Sequence, residues 1–134
     1  MPDQPAAPWQ GLRDEVEADV RRVSERLRTL SSTRLASPPG PSPDGGPGHR
    51  SRAAAGRAVA QLLADAAAAL EATGTGAAPH LRTLPVLPDL AVGDQVAVTG
   101  HDLLAALAVA DPPLAAQRAV QEACLALADV RRRL

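Results

Sequence analysis

Between Gly11 and Leu35 the chain carries Leu12, Val16, Val20, Val23, Leu27 and Leu30, separated by four, four, three, four and three positions. Only a helix brings that set onto one stripe, and an apolar stripe has to be covered by something. Acids crowd the early turns (Asp14, Glu15, Glu17, Asp19) and arginines the later ones (Arg21, Arg22, Arg26, Arg28, Arg34), the order a helix dipole favours. Glu17–Arg21 and Arg21–Glu25 are i,i+4 pairs that reinforce it. The spacing predicts an amphipathic helix over 10–35, preceded by a disordered arm at 1–9 in which Trp9 packs as a staple on the first turn or contacts a partner.

Helix formation cannot continue past Ser37. Ser37 to Gly48 holds five prolines and four glycines in twelve residues, a composition that sustains neither a helix nor a central strand. It reads as a flexible linker over 36–50, long enough to let the first helix swing free. Beyond it, 51–134 reads as a three-helix core. The second helix covers about 51–73, with Val59, Leu62, Leu63, Ala66 and Leu70 on its face and Gly74 past its end. Pro79, Pro85 and Pro88 then impose an extended stretch whose leucines are expected to lie over the core. The third helix follows to about Ala110, striped by Val96, Gly100, Leu103, Leu107 and Ala110. Asp111-Pro112-Pro113 reads as a stop and a new N-cap. The fourth helix, striped by Val120, Ala123, Cys124, Leu127, Val130 and Leu134, should form an antiparallel hairpin with the third. The fold class expected is therefore all-α: a small antiparallel bundle of about four helices with a Pro/Gly-rich linker after the first.

Composition narrows the function. The apolar content is 29 Ala, 18 Leu and 11 Val, with no Ile, Phe or Tyr. Net charge is −1, so no overall field draws the chain to nucleic acid or anionic lipid. Trp9 is the sole aromatic residue, which leaves no rings for stacking on bases. One cysteine allows neither an internal disulfide nor a cysteine zinc framework. Charged residues interrupt every long apolar run, so no membrane span is expected, and the opening residues lack a signal-peptide core; a cytoplasmic location is the expectation.

Four residue sets invite a chemical reading. Asp94, Gln95, Thr99, His101 and Asp102 share one side of the third helix, the grouping that acid–base or metal chemistry uses, and equally what a solvated polar face looks like. His80, His101-Asp102 and Asp129 follow an order that resembles the metal-binding residues of HD-domain phosphohydrolases, over four residues and with gaps short for that multi-helix fold. Arg50, Arg52 and Arg57 gather at the second helix's N-terminus, where cations oppose the dipole and could hold an anion. Cys124, within an apolar stripe, behaves as a small hydrophobe.

No catalytic residue, cofactor site or metal site is assigned from these patterns. An alanine-rich core buries little area per residue, so a chain this small is expected to gain stability from self-association or a protein partner. The expectation is a non-enzymatic interaction module whose contact surface is Leu12, Val16, Val20, Val23, Leu27 and Leu30. The alternatives are nucleic-acid association through Arg50, Arg52, Arg57 and the terminal Arg131, Arg132 and Arg133, and a metal-dependent hydrolase around His80, His101 and Asp102.

Overall fold

The computed structural model describes residues 10–109 and 111–134. The arm at 1–9, with Trp9, and Ala110 of the third stripe lie outside the described residues. The chain is an all-α bundle of α1 (Gln10–Thr29), α2 (Ser32–Leu35), α3 (Arg52–Glu71), α4 (Val92–Ala106) and α5 (Leu114–Arg133), with a 3-10 turn at Asp89–Ala91 leading into α4. The helix expected over 10–35 breaks after Thr29. Ser31 turns extended and caps α2, its hydroxyl accepting from the Arg34 N–H at 3.2 Å. Consecutive serine and threonine side chains compete for backbone hydrogen bonds, and here they win.

Helix directions follow from paired residues. Arg13 Nη1 donates to Leu104 O at 2.6 Å, Gly100 abuts Val20, and Arg28 Nε donates to Asp94 Oδ1 at 2.6 Å, so α1 and α4 run antiparallel. Gly56 abuts Val92 near the N-termini of α3 and α4, and Glu71 and Asp102 line one cleft near their C-termini, so these two run parallel. Leu12 and Gln117 share a cleft while Asp19 and Arg131 pair at 3.3 Å further on, which sets α5 parallel to α1. α4 and α5 therefore oppose each other in direction, as their short connection requires. They make almost no direct contact, however, and lie across the core instead of side by side.

Parallel neighbours need a crossover. α3 is 20 residues long, roughly 30 Å at 1.5 Å per residue. The irregular residues 78–88, at about 3.1 Å each when extended, retrace that length. Polar side chains tack them down in order. Gln61 Nε2 donates to Arg82 O and its Oε1 accepts from Leu84 N–H; Gln95 Nε2 donates to Pro85 O; Arg57 Nη2 donates to Leu87 O. The leucines do not all cover the core as expected. Leu84 and Leu87 are half-buried, but Leu81, Val86 and Leu90 face outward, because three prolines fix the segment's path before packing can choose its faces.

The α1 stripe belongs to the core. Val16, Val20, Val23, Leu27 and Leu30 are buried and Leu12 is partly covered. The surface expected to await a partner is thus covered by the chain's own α4 and α5. Two glycines of α4 make this contact possible. A Cβ on Gly93 would sit 2.8 Å from Ser24 O, and one on Gly100 2.5 Å from Val20 Cγ1, so α1 approaches the α4 backbone itself. An 18-residue stretch of α3 has a mean hydropathy of 1.2, enough by length and composition to cross a membrane; half of that stretch is buried in the bundle.

Candidate functional site

The tract expected to be a flexible linker is pinned across the end of α5. Arg133 is buried, and its guanidinium donates to Gly40 O and Pro47 O (both 2.8 Å) and to Asp129 Oδ2 at 3.1 Å. Gly40 N–H donates back to Arg133 O at 3.0 Å. Ser42 Oγ donates to Asp129 Oδ1 at 2.5 Å while accepting from Gly46 N–H at 2.8 Å, and Arg132 pairs with Asp44 at 2.6 Å. Burial pushes the Asp129 carboxyl up, but the Ser42 and Arg133 hydrogen bonds, with the charges of Arg133 and Arg132, hold it below the usual range. Proline and glycine preclude regular structure here without precluding order: carbonyls that no ladder uses remain free to accept from Arg133.

This strap walls one side of a mainly apolar cleft of about 470 Å³ between α3 and α5, floored by Ala58, Val59, Leu62, Ala126 and Val130. A second cleft of about 400 Å³ opens between α1 and α5, lined by Leu12, Val16, Cys124 and Leu127 below and by Glu15, Asp19, Gln117 and Gln121 at its edges. Leu125, 69% exposed, and Ala128 line both clefts, so α5 presents an aliphatic ridge with an apolar trough on either side. Leu125 lies off the α5 core stripe by one position, so its outward direction follows from helical spacing. The troughs do not, because they depend on how far α1 and α3 stand from α5. Cys124 forms part of the α1/α5 floor; burial, reinforced by Glu15 and Asp19, pushes its thiol up to about 11, which keeps it mostly protonated and slow to react at neutral pH.

The structure divides the polar set expected on α4. Gln95 and Thr99 are buried, Gln95 beneath the crossover and Thr99 bonded to its own helix through Gln95 O at 2.9 Å. Asp94, His101 and Asp102 remain exposed, and Asp94 pairs with Arg28. The crossover is the reason: it covers the flank of α4 that bears 95 and 99. A third cleft, of about 670 Å³, lies there, lined by His80, Arg82, Glu71, Asp94 and Asp102, but His101 is not part of it. Asp129 is across the molecule in the strap anchorage. The residues carrying the phosphohydrolase resemblance are therefore dispersed, and among the described residues no three His, Cys, Asp or Glu side chains converge on a metal position.

The arginine set is likewise redirected. Arg57 Nη2 donates to Asp89 Oδ1 and Leu87 O, both at 2.7 Å, and Arg52 Nη1 reaches Arg34 O at 3.4 Å, so that of the three Arg50 alone is exposed. Cations at the α3 N-terminus are tolerated because carbonyls and a carboxylate from the crossover and from α2 meet them. At the other end of the chain Arg131, Arg132 and Arg133 pair with Asp19, Asp44 and Asp129. The anion-binding cluster expected of Arg50, Arg52 and Arg57 is thus mostly engaged within the fold. No protein-family model, curated protein or solved structure matches the chain.

Proposed function

We propose that the chain is a helical protein–protein interaction module whose contact surface is the α5 ridge with its two flanking troughs, in place of the α1 stripe. The observation that carries this reading is the continuity of accessible aliphatic lining from the partly buried Leu12 across the exposed Leu125 to the partly buried Leu62. Single exposed leucines are ordinary, whereas contiguous apolar ground with a polar rim is the usual form of a binding surface. The rim here is Glu15, Gln117, Gln121, Glu122 and Arg132, hydrogen-bonding groups placed around the apolar centre.

Site-specific photocrosslinking in the cells that make the protein tests the reading. A benzophenone side chain at position 125 should yield discrete crosslinked species. The same probe at position 98, where Val98 is 61% exposed on α4, should yield none. Crosslinking at both positions alike, or at neither, refutes the assignment, and light scattering of the purified chain reports whether the captured partner is a second copy.

A further inference from the structure

Resting on the interaction reading above, we infer that the α1/α5 trough receives a basic amphipathic helix from another protein, seating an aliphatic side chain over Cys124 and pairing its cations with Glu15. The trough extends from Gln117 to Ala128 along α5, which at 1.5 Å per residue is about three helical turns. Its floor is aliphatic and its polar edge is acidic on the α1 side. Glu15 is exposed, and no cation lies within 4.0 Å of it among the described residues. No arginine lines the trough among the described residues; Arg131, further along α5, already pairs with Asp19 at 3.3 Å, and Gln117 and Gln121 on the facing edge are neutral. Apolar anchors along one helix face with cations beside them complement that arrangement.

A second copy of the chain does not supply such a helix. The arginine-rich half of α1 has its apolar stripe buried in its own core. Arg118 and Arg132 lie seven positions on either side of Leu125 on α5, so a two-fold axis through that ridge sets like charges against each other.

Two amphipathic 14-residue probe peptides test the inference against the full chain, one of leucine and lysine and the other of leucine and glutamate in the same pattern. Binding is read by fluorescence anisotropy, and occupancy of the trough by the rate at which a methanethiosulfonate reagent modifies Cys124. The leucine–lysine peptide should bind roughly tenfold tighter than its acidic counterpart, weaken as salt rises, and slow Cys124 modification severalfold. Glu15→Gln should reduce that binding severalfold with an unchanged circular dichroism spectrum, each variant's thiol rate being compared with and without peptide. Equal binding of both peptides with Cys124 protected overturns the partner's basic character and leaves the interaction reading standing. Peptide binding that leaves Cys124 modification unchanged overturns the trough as the seat. Protection at Cys124 that survives Glu15→Gln undiminished overturns the role of Glu15.

Discussion

Gly100→Ala puts the docking of α1 to a direct test, because two effects of opposite sign meet at one atom. In an exposed helix interior the change stabilises by about 1 kcal/mol, the difference in helix propensity. In this fold the new Cβ would lie 2.5 Å from Val20 Cγ1 and 2.7 Å from Cγ2. Rotating χ1 of Val20 exchanges methyls without clearing the space, since valine carries two of them. Val20 is only 4% exposed and has nowhere to retreat. Relief requires α1 to move by roughly 1 Å, towards the ordinary 3.5–4.0 Å contact. Overpacking of this kind costs about 1–3 kcal/mol, so after the propensity gain of about 1 kcal/mol the expected net effect is a loss of up to about 2 kcal/mol. Urea unfolding followed by far-UV circular dichroism measures it, with Gly11→Ala, whose Cβ would meet nothing within 4 Å, as the matched control that should gain stability. Val20→Ala combined with Gly100→Ala should be less destabilised than the sum of the two single changes, since each methyl lost opens room for the one added. A stabilised Gly100→Ala variant would mean that α1 does not pack on α4 at this point, and the docked bundle would be wrong.

The other predictions concern the strap and the cysteine. Arg133→Ala strands the Asp129 carboxylate and the Gly40 and Pro47 carbonyls; it should destabilise by about 2–4 kcal/mol in the same unfolding assay and open 38–48 to limited proteolysis. Acid should loosen the strap. His49, held below its ordinary 6.5 by burial and by Arg133 against the opposing pull of Asp129, is favoured neutral in the fold, so its contribution is complete above 6.5 and declines as pH falls below that value. Asp129, held below 3.8, contributes fully above 3.8 and loses its contribution as pH falls through its depressed value. Proteolysis of the strap should therefore rise on acidification, and His49→Gln should remove the part of that rise that begins near 6.5. Cys124, with its thiol near 11, should react with iodoacetamide at pH 8 on the order of a hundredfold more slowly than a free cysteine, and unfolding in urea should abolish the difference.

Much of the bundle is legible in local pattern. The stripe at 16, 20, 23, 27 and 30 marks the buried side of α1, and Val59, Leu63, Ala66 and Leu70 mark that of α3, because a helix allows only one face to such spacings. What decides where those faces go is not local. Whether α1 meets its own bundle or a partner depends on Gly93 and Gly100, which read as ordinary helix positions until α1 is laid on them. The pinning of 36–50 depends on Arg133, about ninety residues away in sequence, and on carbonyls whose availability no residue type announces. The division of Asp94, Gln95, Thr99, His101 and Asp102 is set by the crossover, whose course is visible only once α3 and α4 are known to be parallel neighbours.

The position of the open trough has a cause in where the chain places its small residues. The α1/α4 seam closes over Gly93 and Gly100, and the α3/α4 seam over Gly56, whose added Cβ would lie 2.6 Å from Val92 Cγ1. On α3 and α5, Ala60, Ala66, Ala116 and Ala123 are covered, and a hollow remains between the two helices beneath the strap. The α1/α5 seam has no glycine on either helix beyond Gly11 at the very start. Asp19 is met across the gap by Arg131, but Glu15, Gln117 and Gln121 also stand on its edges, long or charged side chains that hold the two helices apart because bringing them together would desolvate them without an ionic partner. Helices held apart over an aliphatic floor leave apolar surface that water meets poorly, and a chain whose core is built largely from alanine has little other surface with which to offset that exposure. The same polar edges that keep α1 and α5 from closing on each other are the groups a docked helix would satisfy. One choice of residues therefore accounts both for the trough being open and for its preference for a basic occupant.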